Sequence, residues 1–274
     1  MAGPRVTVAV PTRARPDALA RCLRAIEAQT IADELELLVV HDGEEAVATA
    51  GVVEDVTRAR LLRQERAGPG AARNLAAREA QAPIVCCTDD DCEPQPDWAE
   101  RLAAAIADGA DAVVGRTVVA EPSGALATAS QLVVTHLEER SRRAGRVYGA
   151  ASSFGCRTEV LRRVPFDPSY AFAGGDRDWC ARVTAAGFEL VHEPAAVVLH
   201  HQALTLGSFW RQHTAYGRGA FRFRRAQGRL RLERPGFYGS LAVRGASAGP
   251  KVAALVAVAQ TATAVGFARE ALRR

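Results

Sequence analysis

The chain has 274 residues, 48% of them hydrophobic and 24% charged, which is room for one large domain or two small ones and excludes a disordered tail. Six cysteines with no C-x-x-C pair matched by a second exclude a disulfide scaffold and a structural zinc site. The formal net charge of +4 is uneven: Arg211 to Arg234 holds eight arginines and one acid, a local balance of +7, so the rest sums to −3 and a general nucleic-acid binder is disfavoured.

The opening MAGPRVTVAV has no apolar segment behind a basic stretch, so no cleaved signal peptide and a cytoplasmic address are expected. Val6, Val8 and Val10 predict a strand that stops at Pro11. Pro16 then opens a helix whose apolar stripe is Leu19, Cys22, Leu23 and Ile26. Leu35 to His41 reads as a buried strand, and Leu61 and Leu62 mark a third. A small-residue helix over 71–80 follows the turn Gly68-Pro69-Gly70, and the strand Ile84 to Thr88 runs into three aspartates. Strands alternating with helices predict right-handed crossovers and an α/β fold with a mostly parallel sheet flanked by helices. Further on, Ala112 to Ala120 reads as a strand, and Leu126 to Arg140 and Thr158 to Val164 as helices. Asp176 to Ala186 reads as a helix stopped by Gly187, followed by two short strands, Phe188 to His192 and Ala196 to His200. Cys22, Cys86, Cys87, Cys156 and Cys180 read as small core residues. With no Pro-, Gly- or Ser-rich linker and no repeat, one continuous domain with a C-terminal extension from about Leu204 is the simplest organisation.

In such a sheet, ligands bind outside the carboxyl ends of the strands. Four of those ends carry polar groups: Thr12 and Arg13, Asp42, Arg66 to Arg73, and Asp89 to Asp91. In TDDDCEP, three adjacent acids repel, and a divalent cation relieves the repulsion; Asp89 and Asp91, two apart on an extended loop, project to one side. Such an oxygen set suits Mn2+ or Mg2+; an acidic turn exposed to water is the competing reading. In GPGAARN a glycine turn feeds a helix whose free amides, with Arg73, face an anion, although the third glycine of a dinucleotide fingerprint is missing. In AGGDRDWCARV, Asp176 is either a helix cap or a general base, with Arg182 six residues on. In LHHQ a histidine at a strand end could complete a metal site; a hydrogen-bonded structural histidine is the alternative. Trp98, Trp179 and Trp210 could stack on a base or sugar, with core packing the plainer reading for each.

Together and in this order, these pieces resemble the inverting nucleotide-sugar glycosyltransferases of family 2, with the GT-A fold, over residues 5 to about 202. The resemblance implies a catalytic domain over 1–203, with a nucleotide-binding half to about 120 and an acceptor half over 121–203, and a basic, aromatic helical extension over 204–274. It implies that Pro11, Thr12 and Arg13 lie near the donor nucleotide, and that Asp42 contacts the base, with His41 standing where the family has another acid. It implies that Arg73 and Asn74 reach the donor. Asp89 would lie toward the ribose and metal shell, Asp90 at the donor, and Asp91 and His200 on the metal. Gly175 stands where the family carries a glutamate, and Asp176 keeps the position of the catalytic base. Gly175, Asp178 and Trp179 are then the acceptor-binding candidates. The implied reaction is metal-dependent transfer of a sugar from a nucleotide-diphosphate sugar to an acceptor hydroxyl on a lipid-linked compound, saccharide or small molecule, with inversion in one displacement.

The extension SFWRQHTAYGRGAFRFRR interleaves arginine with Phe209, Trp210, Tyr216, Phe221 and Phe223, which suits an anionic membrane surface or carrier and predicts peripheral attachment at the inner face; packing on the catalytic domain is the alternative, and no nucleic acid is expected. Val252 to Ala268 is uncharged but short for a span, and reads as a packed or interfacial helix. Two other functions stay in view: a sugar-phosphate nucleotidyltransferase, whose early glycine-arginine-lysine signature VPTRARP lacks, and a non-catalytic sugar-nucleotide binder, suggested by Gly175.

Overall fold

A computed structural model of the chain describes residues 3–44, 46–56, 58–121, 124–170, 173–228, 230 and 233–273. In chain order these form β1 (Val6–Thr12), α1 (Pro16–Glu27), β2 (Leu35–Asp42), α2 (Val47–Glu54), β3 (Ala59–Gln64), α3 (Pro69–Glu79), β4 (Ile84–Cys87), β5 (Cys92–Pro94) and α4 (Trp98–Ala107). They continue with β6 (Ala112–Val119), α5 (Ala125–Arg143), β7 (Phe154–Arg157), α6 (Thr158–Arg163), α7 (Gly175–Ala185), β8 (Leu190–His200), α8 (Leu206–Ala226), α9 (Pro235–Ser247) and α10 (Pro250–Ala271).

The described strands form one sheet in the order β3-β2-β1-β4-β7-β6-β8-β5. From β3 to β4 the pairing is parallel, as the alternation of strands and helices requires. Beyond β4 the sheet turns antiparallel, with β7 between β4 and β6 and with β5 against β8. The expected mostly parallel sheet is therefore a mixed one. The two short strands expected over 188–200 are one continuous strand, β8, which passes through Pro194.

The chain divides into two units. The first comprises Met1–Val118, Val147–Ala171 and Gly175–His200 and contains the sheet. Every residue of β1 and β2 is buried, because both faces of the parallel half are covered. Val8, Val10 and Val39 pack with the α1 stripe of Leu19, Cys22, Leu23 and Ile26 and with Trp98, Leu102 and Ile106 of α4. All six cysteines are free and buried. Trp98 is wholly buried and donates its indole N–H to Ser153 at 2.9 Å.

The second unit is helical and differs from the expected extension: α5 belongs to it along with α8, α9 and α10. The reason is apolar area. Ala129 of α5 clusters with Phe209, Phe237, Leu241, Val252, Leu255, Val256 and Ala259, and Leu126, Leu132 and Val133 pack against that cluster. Phe209 and Phe221 of α8 are core residues, and Trp210 is partly exposed. Arg218 and Arg222 pair with Glu270 of α10, and Arg224 pairs with Glu233, so part of the +7 stretch is neutralised within this unit. By length and composition α10 could cross a membrane. It also makes a close crossing with α8. A Cβ on Gly217 would stand 1.9 Å from the carbonyl oxygen of Thr263, and one on Gly266 would stand 2.0 Å from that of Thr214.

Backbone cannot yield there as a side chain would. Gly217→Ala is expected to destabilise the protein by at least about 2 kcal/mol in chemical denaturation, the upper part of the range for overpacking. Gly239→Ala on α9, whose added Cβ would meet nothing within 4 Å, is the control expected to be neutral or slightly stabilising.

Candidate functional site

The site is built where β4 ends. Buried β4 delivers Thr88 and then Asp89, Asp90 and Asp91 in succession, and the Cys92 amide closes a turn on the Asp89 carbonyl at 3.0 Å. Consecutive residues on an extended loop alternate in direction. Asp90 points inward and is fully buried, accepting from the Thr12 hydroxyl at 2.7 Å and from Arg15 Nε at 3.2 Å. Burial pushes its carboxyl up to about 6, against the pull of Arg15 and Thr12. Asp90 is thus an internal anchor of the loop, and not the donor contact the sequence suggests.

Asp89 and Asp91 carry the exposed charge of the loop. Asp89 pairs with Arg73 of α3, whose guanidinium also lies 5.5 Å from the centre of the Phe166 ring. Asp91 lies 3.3 Å from Nε2 of His200, placed there by the register of β5 on β8, which pairs Cys92 with His200. Arg15 Nη1 reaches the other oxygen of Asp91 at 2.5 Å. Burial alone would raise the Asp91 carboxyl, but His200 and Arg15 outweigh it and hold it at about 2. Burial pulls the His200 imidazole down, and the Asp91 and Asp89 carboxylates more than restore it, leaving it above its ordinary value.

The loop before α3 is pinned by Asp42 at the end of β2. Its carboxylate accepts the Ala67 amide at 2.7 Å, the Gly68 amide at 3.0 Å and the Gln64 side-chain amide at 2.8 Å. These donors pull the carboxyl below its ordinary value despite burial. Asp42, expected at the base, fixes the turn that starts α3. Arg13, exposed on the β1–α1 turn, acts electrostatically on both His41 and Asp42. Pro11 is buried within β1. Asn74 does not reach outward: its side chain brackets the Phe166 backbone, donating to the carbonyl and accepting from the amide, both at 2.8 Å.

Asp176 lies in the first turn of α7 and accepts the Arg177 amide at 2.8 Å. It opens on a small hollow shared with Val114, Phe154, Phe166 and Trp179. Desolvation there raises its carboxyl, Arg73 lowers it and Asp89 raises it, so Asp176 belongs electrostatically to the same site as the acidic loop. Its neighbours do other work. Asp178 is buried, pairs with Arg182 at 2.6 Å and accepts from the Tyr170 hydroxyl, and Arg182 donates to the Pro165 carbonyl at 2.8 Å. Trp179 is 1% exposed, stacks on Phe166 and donates its indole N–H to Val164 at 2.8 Å. Both residues dock α7 onto the turn before it, which corrects their expected role at the acceptor. Gly175 fits tightly, its would-be Cβ 3.2 Å from that of Tyr170.

The donor set fits a divalent cation. Ligand atoms of Asp91, Cys92 and His200 lie within 4.8 Å of one another. Burial raises the Cys92 thiol well above its ordinary value and so keeps it protonated, which leaves one anionic carboxylate and one imidazole, a pairing suited to Mn2+ or Mg2+. Sequence reasoning missed Arg15, Gln64 and Phe166. Arg15 had a signal, since it follows Arg13 by two and immediately precedes the helix-opening Pro16.

The sequence matches the family described as Glycosyl transferase family 2 over residues 7–166. It is 27% identical to glycosyltransferase AglE of Haloferax volcanii over 79% of this chain and 73% of that protein. It is 26% identical to the pre-mycofactocin glycosyltransferase of Mycobacterium tuberculosis over 78% of this chain, which spans 46% of that protein. Among solved structures, mannosyltransferase PcManGT of Pyrobaculum calidifontis, in complex with GDP-Man and Mn2+, has a TM-score of 0.62 at 19% identity, covering 100% of this chain and 87% of that one. S. aureus TarS 1-349 in complex with UDP has a TM-score of 0.54 at 15% identity, covering 78% and 65%. These structural likenesses establish the GT-A fold.

Asp42→Asn turns one acceptor oxygen into a donor facing backbone amides, and is expected to cost about 2 kcal/mol at pH 7 in chemical denaturation. The native carboxyl lies below its unfolded value, so its contribution is present above the unfolded pKa and lost as pH falls through the folded one. The gap between wild type and Asp42→Asn should hold from pH 7 to 5 and narrow below about pH 4; a gap that widens with acid would refute the assignment.

Proposed function

The chain belongs to glycosyl transferase family 2, and we propose that it transfers a sugar from a nucleotide-diphosphate sugar to an acceptor hydroxyl by a metal-dependent single displacement with inversion. The observation that carries this reading is the grouping of Asp91 with His200 and of Arg73 with Asp89, together with a half-buried Asp176 that both Arg73 and Asp89 influence. Solved neighbours hold nucleotides of this kind, GDP-Man with Mn2+ in one and UDP in the other, which supports the donor class. Family membership displaces the nucleotidyltransferase and the non-catalytic binder as alternatives.

Each residue then has a physical role. Asp91 and His200 would hold Mn2+ or Mg2+, which when bound supplies positive charge against the leaving diphosphate. Arg73, braced by Phe166 and paired with Asp89, orients the donor at the strand ends. Asp176 takes the proton of the acceptor hydroxyl as that oxygen attacks the anomeric carbon from the face opposite the nucleotide. Its partly apolar surroundings raise its proton affinity toward the working pH, which suits a base better than an ordinary aspartate does. Pro11, Thr12 and Arg13 border the nucleotide side of the same strand ends, and Gly175, packed closely on Tyr170, stands beside Asp176 on the acceptor side.

The acceptor is a hydroxyl compound met at an anionic surface, with the enzyme peripheral on the cytoplasmic face of the membrane. Supporting this are exposed apolar side chains on the helical unit, Tyr238 and Val243 of α9 and Val258 of α10, with Arg234 and Lys251 at the starts of those helices. Cosedimentation with vesicles containing anionic phospholipid, and release by salt, checks this; recovery of all protein in the supernatant would count against it.

Asp176→Asn is expected to keep donor binding and lose turnover by about 1,000-fold, the usual scale for a general base. The base must be ionised, and its carboxyl is raised, so the wild-type rate should fall as pH drops through a value above the ordinary aspartate pKa. Asp91→Ala should abolish Mn2+-dependent binding in a thermal-shift panel of UDP-, GDP- and dTDP-sugars. Unchanged metal-dependent nucleotide affinity in Asp91→Ala would sink the metal assignment, and normal turnover in Asp176→Asn would place the base elsewhere.

A further inference from the structure

We propose that Arg15 is the displaceable counter-ion of the acidic loop: it holds Asp91 when no divalent cation is bound, surrenders that carboxylate when one arrives, and then pairs with the phosphates of the donor. The inference rests on the metal reading above and adds to it a residue and an order of events.

The cations around the loop differ in freedom. The Arg73 side chain is 6% exposed, lies over Phe166 and is committed to Asp89. His200 is fixed on β8 by the register that sets it opposite Cys92. Arg15 is 51% exposed on its side chain and spans two acids, with Nε and Nη2 on Asp90 and Nη1 on Asp91. Asp91 thus has one oxygen toward an imidazole fixed on β8 and the other toward a half-exposed guanidinium.

An imidazole can give up its proton and ligate a cation, but a guanidinium cannot. A divalent cation on Asp91 therefore repels Arg15 and competes with it for the same carboxylate, whereas His200 can join it. Asp90 lies deeper and keeps both its Thr12 hydrogen bond and the Nε and Nη2 contacts of Arg15, so the loop retains its anchor while Nη1 lets go of Asp91.

The backbone points the same way. Ala14 has φ +51°, and among the described residues it is the only non-glycine in the left-handed region. That conformation costs a residue with a Cβ about 1 kcal/mol and persists only where the surroundings demand it. Here it turns the chain between exposed Arg13, which acts on Asp42, and Arg15, which reaches back over the acids. Once released from Asp91, Arg15 Nη1 stands beside the metal ligands as a charged donor for a phosphate oxygen.

The test titrates Mn2+ alone into the wild-type protein, Arg15→Gln, Arg15→Lys and Asp91→Asn, followed by calorimetry and by the EPR signal of free Mn2+. GDP and UDP are then titrated at saturating Mn2+. Arg15→Gln is expected to bind Mn2+ about fivefold more tightly than wild type, the upper end for an exposed ion pair, and to bind nucleoside diphosphate about tenfold more weakly, the scale of one charge-assisted hydrogen bond. Arg15→Lys, with a point charge that reaches one acid at a time, should fall between them on both axes, and it carries the test if Arg15→Gln does not fold. Unchanged or weaker Mn2+ binding in both Arg15 variants, while Asp91→Asn abolishes it, overturns the proposal and leaves the metal reading standing. Tighter Mn2+ binding with unchanged nucleotide affinity overturns the phosphate half. Absence of Mn2+ binding by the wild-type protein, with and without nucleotide, overturns the metal reading itself.

Discussion

Three carboxylates in succession at the end of a buried strand cannot all stay ionised without positive charge near them, and much of the site follows from supplying it. Asp89 takes Arg73, Asp90 takes Arg15, and Asp91 takes both Arg15 and His200. The supply is incomplete for the most buried member, whose carboxyl remains raised to about 6, and ample for Asp91, held at about 2. The opposite shifts of these adjacent residues separate an internal anchor from an outward-facing, ionised carboxylate.

Each cation reaches the loop through a different piece of the fold. Arg73 depends on α3, and α3 is tied at three points: Asp42 holds its leading turn, Asn74 brackets the Phe166 backbone, and Arg162 donates to the carbonyls of Ala77, Arg78 and Ala80 at its end. His200 depends on the pairing of a three-residue strand with the far end of β8. Arg15 depends on a strained turn between β1 and α1. Asp176 depends on α7, which Asp178, Arg182 and Trp179 dock onto the turn over 164–166. That turn also supports Arg73 through Phe166, so Asp176 and Arg73, the proposed base and the proposed donor-side arginine, share one foundation.

What the sequence made legible follows from the range of the interactions. The parallel strands and their polar ends were readable because each is a local pattern: a β-branched run, a proline stop, a helix stripe. The short strands β5 and β7 were not, because they are held by partners far along the chain and have too few residues for a period of two to show. The antiparallel half of the sheet was lost with them. Within the site, Asp89, Asp91, Arg73, Asp176 and His200 were singled out from motif and position. Asp90, Asp178 and Trp179 were misread because sequence cannot say which way a side chain on a loop or first helical turn faces. Asp178 and Trp179 face inward, and their polar groups are spent on Arg182, Tyr170 and Val164. Likewise α5 could not be assigned to the helical unit from its own stripe, since the surface it covers is made of Phe209, Phe237 and Val256, more than 70 residues away.

The same logic separates residues that build the site from residues that change state in it. Arg73 is enclosed, stacked and paired, and moving it would cost burial and an ion pair together. Arg15 lies half in water, so solvent can replace part of what it gives up on leaving Asp91. Under the proposed reading, a site that takes a doubly charged cation and then a diphosphate needs one positive group of each kind: a fixed one to keep the loop folded and aimed, and a loose one to balance it until the metal takes over. Placing the loose one on the β1–α1 turn, beside the strand ends proposed to read the nucleotide, puts the displaced charge where phosphate oxygens would next arrive.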